Sequence, residues 1–147
     1  LPTLRARPHA RVVTVSSMAH ARGRIDFENL DGANGFSGSA AYAKSKLANV
    51  LFAFALADRL NGTHVTSNAL HPGVITTKLL RTGFGIDGAS VEQGAATSVK
   101  LASDPTLATT TRQYWSDLRP VTPSATARDT TLGERLWQRS AELLGIA

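Results

Sequence analysis

A strand pattern, a long helix pattern and a second strand pattern follow one another along this chain, and their order restricts the fold more than any other feature. Residues 11–15, Arg-Val-Val-Thr-Val, form a short β-branched run typical of a buried strand. Apolar residues then recur at helical spacing over residues 40–60, and Asn61-Gly62 supplies a helix stop. Residues 64–70 resume the strand pattern, which His71-Pro72-Gly73 ends because proline cannot continue it. Strands joined through a helix pair in parallel, so the sequence predicts an α/β fold with binding groups at the carboxyl ends of its strands.

The rest of the chain adds a loop, two helices and one short strand. Residues 18–39 are rich in Gly, Asn, Asp and Ser and are predicted to form a loop with a short turn, long enough to carry function. A second helix is expected from Ser90 or Val91 to Leu101, with Ser90 and Gln93 as a capping box. Further expectations are a last short strand at 113–115, a loop at 120–126 and a third helix at 132–144. Three strands predict an incomplete doubly wound parallel sheet, since a complete one needs two βαβαβ halves.

The amino-acid composition of the chain excludes several classes of function. The chain has no cysteine, which excludes disulfides, thiolate zinc sites and cysteine nucleophiles, and no metal site is predicted. No apolar run approaches the roughly 18–20 residues that cross a bilayer, so a cytoplasmic protein without a transmembrane segment is expected. The net charge of +5 would suit a nucleic-acid binder if it were gathered on one face. The arginines are scattered instead, and no nucleic-acid partner is expected.

Tyr42 and Lys46 stand at the start of the predicted long helix, four residues apart, and so share one face of it. Ionising a free tyrosine at neutral pH costs about 4 kcal/mol. An ammonium about 4 Å away, at an effective dielectric of about 20, returns about the same amount and makes a phenol a usable acid/base. The alternative for such a pair is structural, with a lysine stem lying over a tyrosine ring. Spacing alone leaves both interpretations open.

Two strand ends would bring further polar groups to the same edge of the sheet. Ser16 and Ser17 end the first strand, and because successive strand residues point to opposite faces, one of the two is expected at the edge. The segment 72–77, Pro-Gly-Val-Ile-Thr-Thr, follows the second strand and offers backbone groups and a hydroxyl that suit a planar amide. The alternatives are ordinary strand-end hydroxyls and a plain turn.

The order of these motifs resembles the short-chain dehydrogenase/reductase family, in which a strand-end Ser precedes Tyr-x-x-x-Lys at a helix start and Pro-Gly-x-x-x-Thr after the next strand. Within that family, residues 42–52 and 71–74 are similar to the retinol dehydrogenase and protochlorophyllide reductase-like branch. The resemblance covers nearly the whole chain from Arg11. It implies a Rossmann-like domain, of which residues 1–147 would be the carboxy-terminal portion.

The resemblance also implies a role for each matching residue. Tyr42 would be the general acid in carbonyl reduction and the general base in alcohol oxidation, and Lys46 would favour its phenolate and bind the nicotinamide ribose. Ser17, rather than Ser16, would orient the substrate oxygen and stabilise its developing charge. The nicotinamide carboxamide would be held by residues after the second strand: Pro72, Gly73, the Ile75 backbone and the Thr77 hydroxyl. The expected function is that of an NAD(P)-dependent oxidoreductase that interconverts a small-molecule alcohol and a carbonyl.

Other motifs of that family have no counterpart in these residues. The Thr-Gly-x-x-x-Gly-x-Gly loop and the residue that selects NAD or NADP are missing, and Gly83-x-Gly85-x-x-Gly88 follows no strand, so it is not interpreted as a dinucleotide loop. The expected cofactor is NAD or NADP, without a preference, and the isolated chain is expected to be inactive. The alternative is a non-catalytic remnant or interaction module that pairs through the 40–60 helix. Its expected partner is a second copy or a missing amino-terminal half.

Overall fold

The structure, a computed structural model, describes residues 2–76, 82 and 87–146. Within them one sheet contains four strands: β1 (Arg11–Val15), β2 (Thr66–His71), β3 (Tyr114–Ser116) and β4 (Arg119–Val121). The strand order is β1-β2-β3-β4, with β1, β2 and β3 parallel and β4 antiparallel to β3. The predicted α/β fold with parallel pairing is therefore confirmed.

Three helices of the described residues lie where helical periodicity predicts them, with small shifts at their ends, and the short helix α1 precedes them. They are α1 (Pro2–Arg5), α2 (Gly38–Arg59), α3 (Val91–Ser103) and α4 (Thr130–Leu144). The capping box of Ser90 and Gln93 is present at the start of α3. The predicted loop between β1 and α2 contains two short 3-10 turns, Met18–Arg22 and Phe27–Asn29.

The strand β4 corrects the sequence-based expectation of three strands and a loop over residues 120–126. A two-residue turn at Asp117 and Leu118, both with positive φ, reverses the chain after β3. Leucine rarely adopts positive φ, and Pro120 lacks the N–H that a strand interior uses, so the sequence offers no hairpin signal. The structure accommodates the proline because β4 is an edge strand, where one side of the backbone needs no partner.

The main core lies on the sheet face that α2 covers. Leu47, Val50 and Leu51 of α2 are fully buried there, beside Ala69 of β2 and Tyr114 of β3. α4 packs against α2 from outside, which explains why α2 is apolar on more than one side. Because successive strand residues point to opposite faces, the other face is a second core under α3, formed by Leu70, Leu101 and Trp115.

None of the helices in the described ranges is long and apolar enough to cross a membrane. β1 has β2 as its single neighbour in the described sheet, so its other edge carries no strand from these residues. The carboxyl ends of β1 and β2, next to the start of α2, are where the predicted site residues within the described ranges lie.

Candidate active site

The parallel register of β1 and β2 brings their carboxyl ends side by side. Val15 pairs with Leu70, and the Ser16 N–H donates a hydrogen bond of 2.7 Å to the Leu70 carbonyl oxygen. Ser17 follows the end of β1, and Pro72 follows the end of β2. The two strand ends therefore meet at one edge of the sheet, as their sequence positions predicted.

Two side-chain hydrogen bonds fasten the end of β1 to α2. The Ser16 hydroxyl donates to the Lys46 carbonyl oxygen at 2.7 Å, and Asn49 Nδ2 donates to the Val15 carbonyl oxygen at 3.0 Å. The first acceptor belongs to Lys46, a predicted site residue, and the second belongs to Val15, two residues before Ser17. The strand end that carries Ser17 is thus held against the turns of α2 that carry Tyr42 and Lys46.

A third contact between these elements depends on a glycine. The 3-10 turn after Ser17 ends at Gly23, which packs directly against the α2 backbone. A methyl group on Gly23 would overlap the Ala43 carbonyl oxygen and would lie 2.7 Å from Leu47 Cβ. Since Ala43 follows Tyr42, this close approach sets the distance between the turn and the helix face beside Tyr42.

The two serines differ in how their hydroxyl protons are used. Both are buried, at 2% exposure for Ser16 and 8% for Ser17. Ser16 donates its proton to the Lys46 carbonyl oxygen, whereas the Ser17 oxygen accepts a 3.2 Å hydrogen bond from the Ala19 N–H. A hydroxyl that accepts in this way keeps its own proton, and Ser17 donates to no group among the described residues. Ser17 is therefore the serine able to donate to a bound oxygen.

Tyr42 and Lys46 are both half-buried and lie on one face of α2. The Lys46 ammonium is 5.4 Å from the centroid of the Tyr42 ring, within the range of a cation–π contact. Neither the phenol oxygen nor the ammonium has a hydrogen-bond partner in the part of the chain that the structure describes. The ammonium therefore lies over the ring, and both polar ends remain able to bind another group.

The segment after β2 turns sharply and presents unpaired backbone groups. Gly73 has φ of +97°, a conformation that favours glycine. Ile75 forms an isolated parallel bridge with Ala89 that uses the Val74 carbonyl oxygen and the Thr76 N–H, at 2.8 and 3.0 Å. The N–H and the carbonyl of Ile75 itself face away from this bridge and have no partner among the described residues. One donor and one acceptor side by side match the two polar groups of a carboxamide.

The neighbouring threonine hydroxyl is already occupied. Thr76 Oγ1 donates to the Gly88 carbonyl oxygen at 2.8 Å and accepts from the Gly88 N–H at 2.7 Å. Thr76 therefore closes the loop rather than offering a free hydroxyl. Thr77, the threonine predicted to bind a carboxamide, lies outside the described residues.

His20 is a buried residue at this edge that no motif had indicated. It is 4% exposed, and its ring nitrogens contact the Ser17 carbonyl oxygen at 2.7 Å and the Ser124 N–H at 3.1 Å. Its ring lies 4.8 Å from the ring of Tyr114. The signal that could have found it is its position three residues after Ser17, in a loop already long enough to suggest function.

Two further titratable groups lie below this edge. The Tyr114 hydroxyl is buried and has no hydrogen-bond partner among the described residues, and burial raises the pKa of Tyr114 to about 12. His71 Nδ1 is also buried, and no group in the described part of the chain is its partner. Burial lowers the pKa of His71 below its usual 6.5, the charge of Asp117 opposes this shift, and His20 adds to it. Both side chains therefore favour their neutral forms at neutral pH.

Comparison with known proteins identifies a family, similar sequences and a similar structure. The sequence profile of the family described as short chain dehydrogenase matches residues 1–84, more than half of the chain. Retinol dehydrogenase 12 of Mus musculus is 41% identical and retinol dehydrogenase 11 of Homo sapiens 38% identical, each over 155 residues that cover 99% of this chain and 49% of the relative. A crystal structure of an uncharacterised protein from Mycobacterium paratuberculosis superposes with a TM-score of 0.74 at 33% identity, covering 91% of this chain and 50% of that chain.

The chain thus spans about half the length of the curated relatives it matches. The match extends over both strand ends, α2 and the loop after β2, which are the elements that form the edge described above. The resemblance indicated by the motifs is confirmed, and the chain belongs to the short chain dehydrogenase family.

Proposed function

We propose that this chain supplies the proton-transfer side of an NAD(P)-dependent oxidoreductase that interconverts an alcohol and a carbonyl. The observation that carries the proposal is the attachment of the β1 end to α2 through Ser16 and Asn49, which brings Ser17 to the helix of Tyr42 and Lys46. Membership of a dehydrogenase family supports the reaction type. The retinol dehydrogenases among its relatives support an alcohol or carbonyl substrate.

Three groups divide the chemistry at the substrate oxygen. The Tyr42 hydroxyl gives a proton to the oxygen in carbonyl reduction and takes one from it in alcohol oxidation. The Lys46 ammonium beside the ring favours the ionised phenol that remains after the proton leaves. The Ser17 hydroxyl donates a hydrogen bond to the same oxygen and stabilises the negative charge that develops there.

The residues after β2 fit the nicotinamide end of the cofactor. The unpaired N–H and carbonyl of Ile75 match the carboxamide, and they follow the sharp turn at Gly73. The Lys46 ammonium, which has no hydrogen-bond partner in the described ranges, would bind the ribose hydroxyls, and Thr77 would add a hydroxyl. When bound, the nicotinamide supplies or accepts the hydride.

The proposal is tested by a substitution that removes only the Tyr42 hydroxyl, and with it the transferable proton. A hybrid enzyme is made in which residues 1–147 replace the matching half of mouse retinol dehydrogenase 12. In this hybrid, Tyr42→Phe should lower the rate of aldehyde reduction by at least about a hundredfold, while the Kd for NAD(P)H changes by less than about twofold. Stopped-flow reduction of retinaldehyde and fluorescence titration measure the two quantities.

The chain contains a matched control for this substitution. Tyr114→Phe removes the other tyrosine hydroxyl, which is buried and unpartnered among the residues that the structure describes, so the rate should stay within about twofold of the parent. Full activity in the Tyr42→Phe hybrid, or an equal loss in both variants, would remove Tyr42 from the reaction and with it the proposed function.

The second candidate function is an interaction module that pairs through α2 with a second copy of the chain, and one surface favours it. Phe52 of α2 is 44% exposed and stacks on Trp137 of α4, at one side of an apolar groove of about 380 Å³ that extends to Leu144 and Ile146. In the hybrid enzyme, added NAD(P)H that raises the melting temperature supports the oxidoreductase, whereas an unchanged melting temperature of the hybrid, together with concentration-dependent dimerisation, supports the module.

A further inference from the structure

His20 contacts the site through Ser17, so any role for it there rests on the proposed function. The Ser17 carbonyl oxygen accepts two hydrogen bonds from this one residue. The His20 backbone N–H donates at 3.0 Å and His20 Nδ1 lies at 2.7 Å. Both lone pairs of the carbonyl are therefore occupied, and the peptide after Ser17 is fixed by the histidine on the next turn.

The second ring nitrogen ties the same turn to a distant part of the chain. His20 Nε2 lies 3.1 Å from the Ser124 N–H, and the Ser124 hydroxyl in turn accepts from the Ala127 N–H at 3.3 Å. Ser124 belongs to the connection between β4 and α4. The imidazole thus joins the Ser17 turn to a segment that lies 104 positions after His20 in the sequence.

The two partners determine the tautomer of the ring. A backbone carbonyl can only accept a hydrogen bond, so Nδ1 carries the proton, and a backbone N–H can only donate, so Nε2 carries the lone pair. His20 is 4% exposed, and both nitrogens are used by the backbone. The side chain therefore has no free nitrogen for a substrate and cannot be an acid or base in the reaction without breaking one of these bonds.

We propose that His20 is a positioning residue: its neutral ring, protonated on Nδ1, holds Ser17 in register with Tyr42 and Lys46 through the Ser17 carbonyl. The ring packs on Tyr114, and the turn ends at Gly23 against α2, so the histidine has a rigid support on one side and the catalytic helix on the other. Displacing a hydrogen-bond donor by about 1 Å can cost about a hundredfold in rate, which makes such support effective.

Two substitutions separate the two bonds of the ring. His20→Asn keeps an N–H near the position of Nδ1 and loses the acceptor for Ser124. His20→Gln reaches the position of Nε2 with its carbonyl oxygen and loses the donor to Ser17. In the hybrid enzyme, His20→Asn should retain kcat within about threefold, whereas His20→Gln should lower kcat by about tenfold or more with KM and the Kd for NAD(P)H unchanged.

A spectroscopic measurement gives a readout that does not depend on activity. Nitrogen-15 spectra of the 147-residue chain, and of the hybrid, should show His20 Nδ1 protonated and Nε2 without a proton. A ring protonated on Nε2 overturns the proposal, and so does an equal fall of kcat in the Asn and Gln variants that follows their melting temperatures. If Tyr42→Phe remains active, the proposed function fails instead. If Tyr42→Phe is inactive while His20→Gln retains full kcat, only the positioning role is wrong.

Discussion

Lysines 44 and 46 stand two positions apart on α2, yet their ammonium groups are used differently. Lys44 Nζ donates to the carbonyl oxygens of Asn29 and Leu30 at 2.8 and 2.9 Å, which anchors the loop before the helix. Lys46 Nζ lies over the Tyr42 ring and donates to no described residue. The pair therefore offers a comparison between a lysine that supports the fold and one whose charge is available to a ligand.

Lys46→Met tests whether that available charge binds cofactor. Methionine keeps an unbranched side chain and removes the ammonium, so the Kd for NAD(P)H in the hybrid should rise by about tenfold or more and aldehyde reduction should fall with it. Lys44→Met should leave the Kd unchanged within about twofold and lower the melting temperature instead. Equal Kd values in the Lys46→Met and parent proteins would contradict the cofactor role, and fluorescence titration gives the answer directly.

At the level of elements, the site depends on how closely the Ser17 turn approaches α2. Gly23 allows this approach because a side chain there would collide with the backbone at Ala43, and backbone moves less easily than the end of a flexible side chain. The two hydrogen bonds donated by Ser16 and Asn49 also hold the end of β1 close to α2. Strand end, turn and helix are thus held together before any ligand binds.

Gly23→Ala should separate these elements. The added methyl group must push the turn away from α2, and overpacking of this kind costs about 1–3 kcal/mol in the free energy of unfolding. The control is Gly38→Ala at the start of α2, where the nearest atom is 4.0 Å away and the methyl group has space. Urea unfolding of both variants measures the difference, and a Gly23→Ala protein as stable as Gly38→Ala would show that the close approach is not required.

At the level of the whole molecule, the chain offers groups for the nicotinamide end of a dinucleotide, but its sequence does not contain the Thr-Gly-x-x-x-Gly-x-Gly motif whose turn holds the pyrophosphate. Losing such a phosphate site lowers affinity by on the order of a thousandfold. The isolated 147-residue chain should therefore show no saturable NAD(P)H binding at micromolar concentrations, while the hybrid should bind. Isothermal titration of both proteins makes the comparison, and micromolar binding by the chain alone would place the phosphate groups elsewhere in these residues.

Local patterns in the sequence determined the elements and the residue pair on α2. Helical spacing predicts α2 and α4, β-branched runs predict β1 and β2, and the four-residue step from Tyr42 to Lys46 puts both on one helix face wherever that helix packs. The capping box at Ser90 is equally local. These features follow from contacts between residues a few positions apart, so they can be derived without knowing the fold.

Only the tertiary structure determines which serine has a hydroxyl proton available to a ligand. It also determines that a side chain at position 23 would collide with α2, and which groups His20 binds. Ser16 meets Lys46 across 30 positions, and His20 meets Ser124 across 104. Such hydrogen bonds depend on where the folded backbone brings distant carbonyls and N–H groups, and no periodicity along the chain records that. The strand β4 escaped prediction for a related reason, because a proline and a positive-φ leucine are tolerated there only by an edge position that the assembled sheet provides.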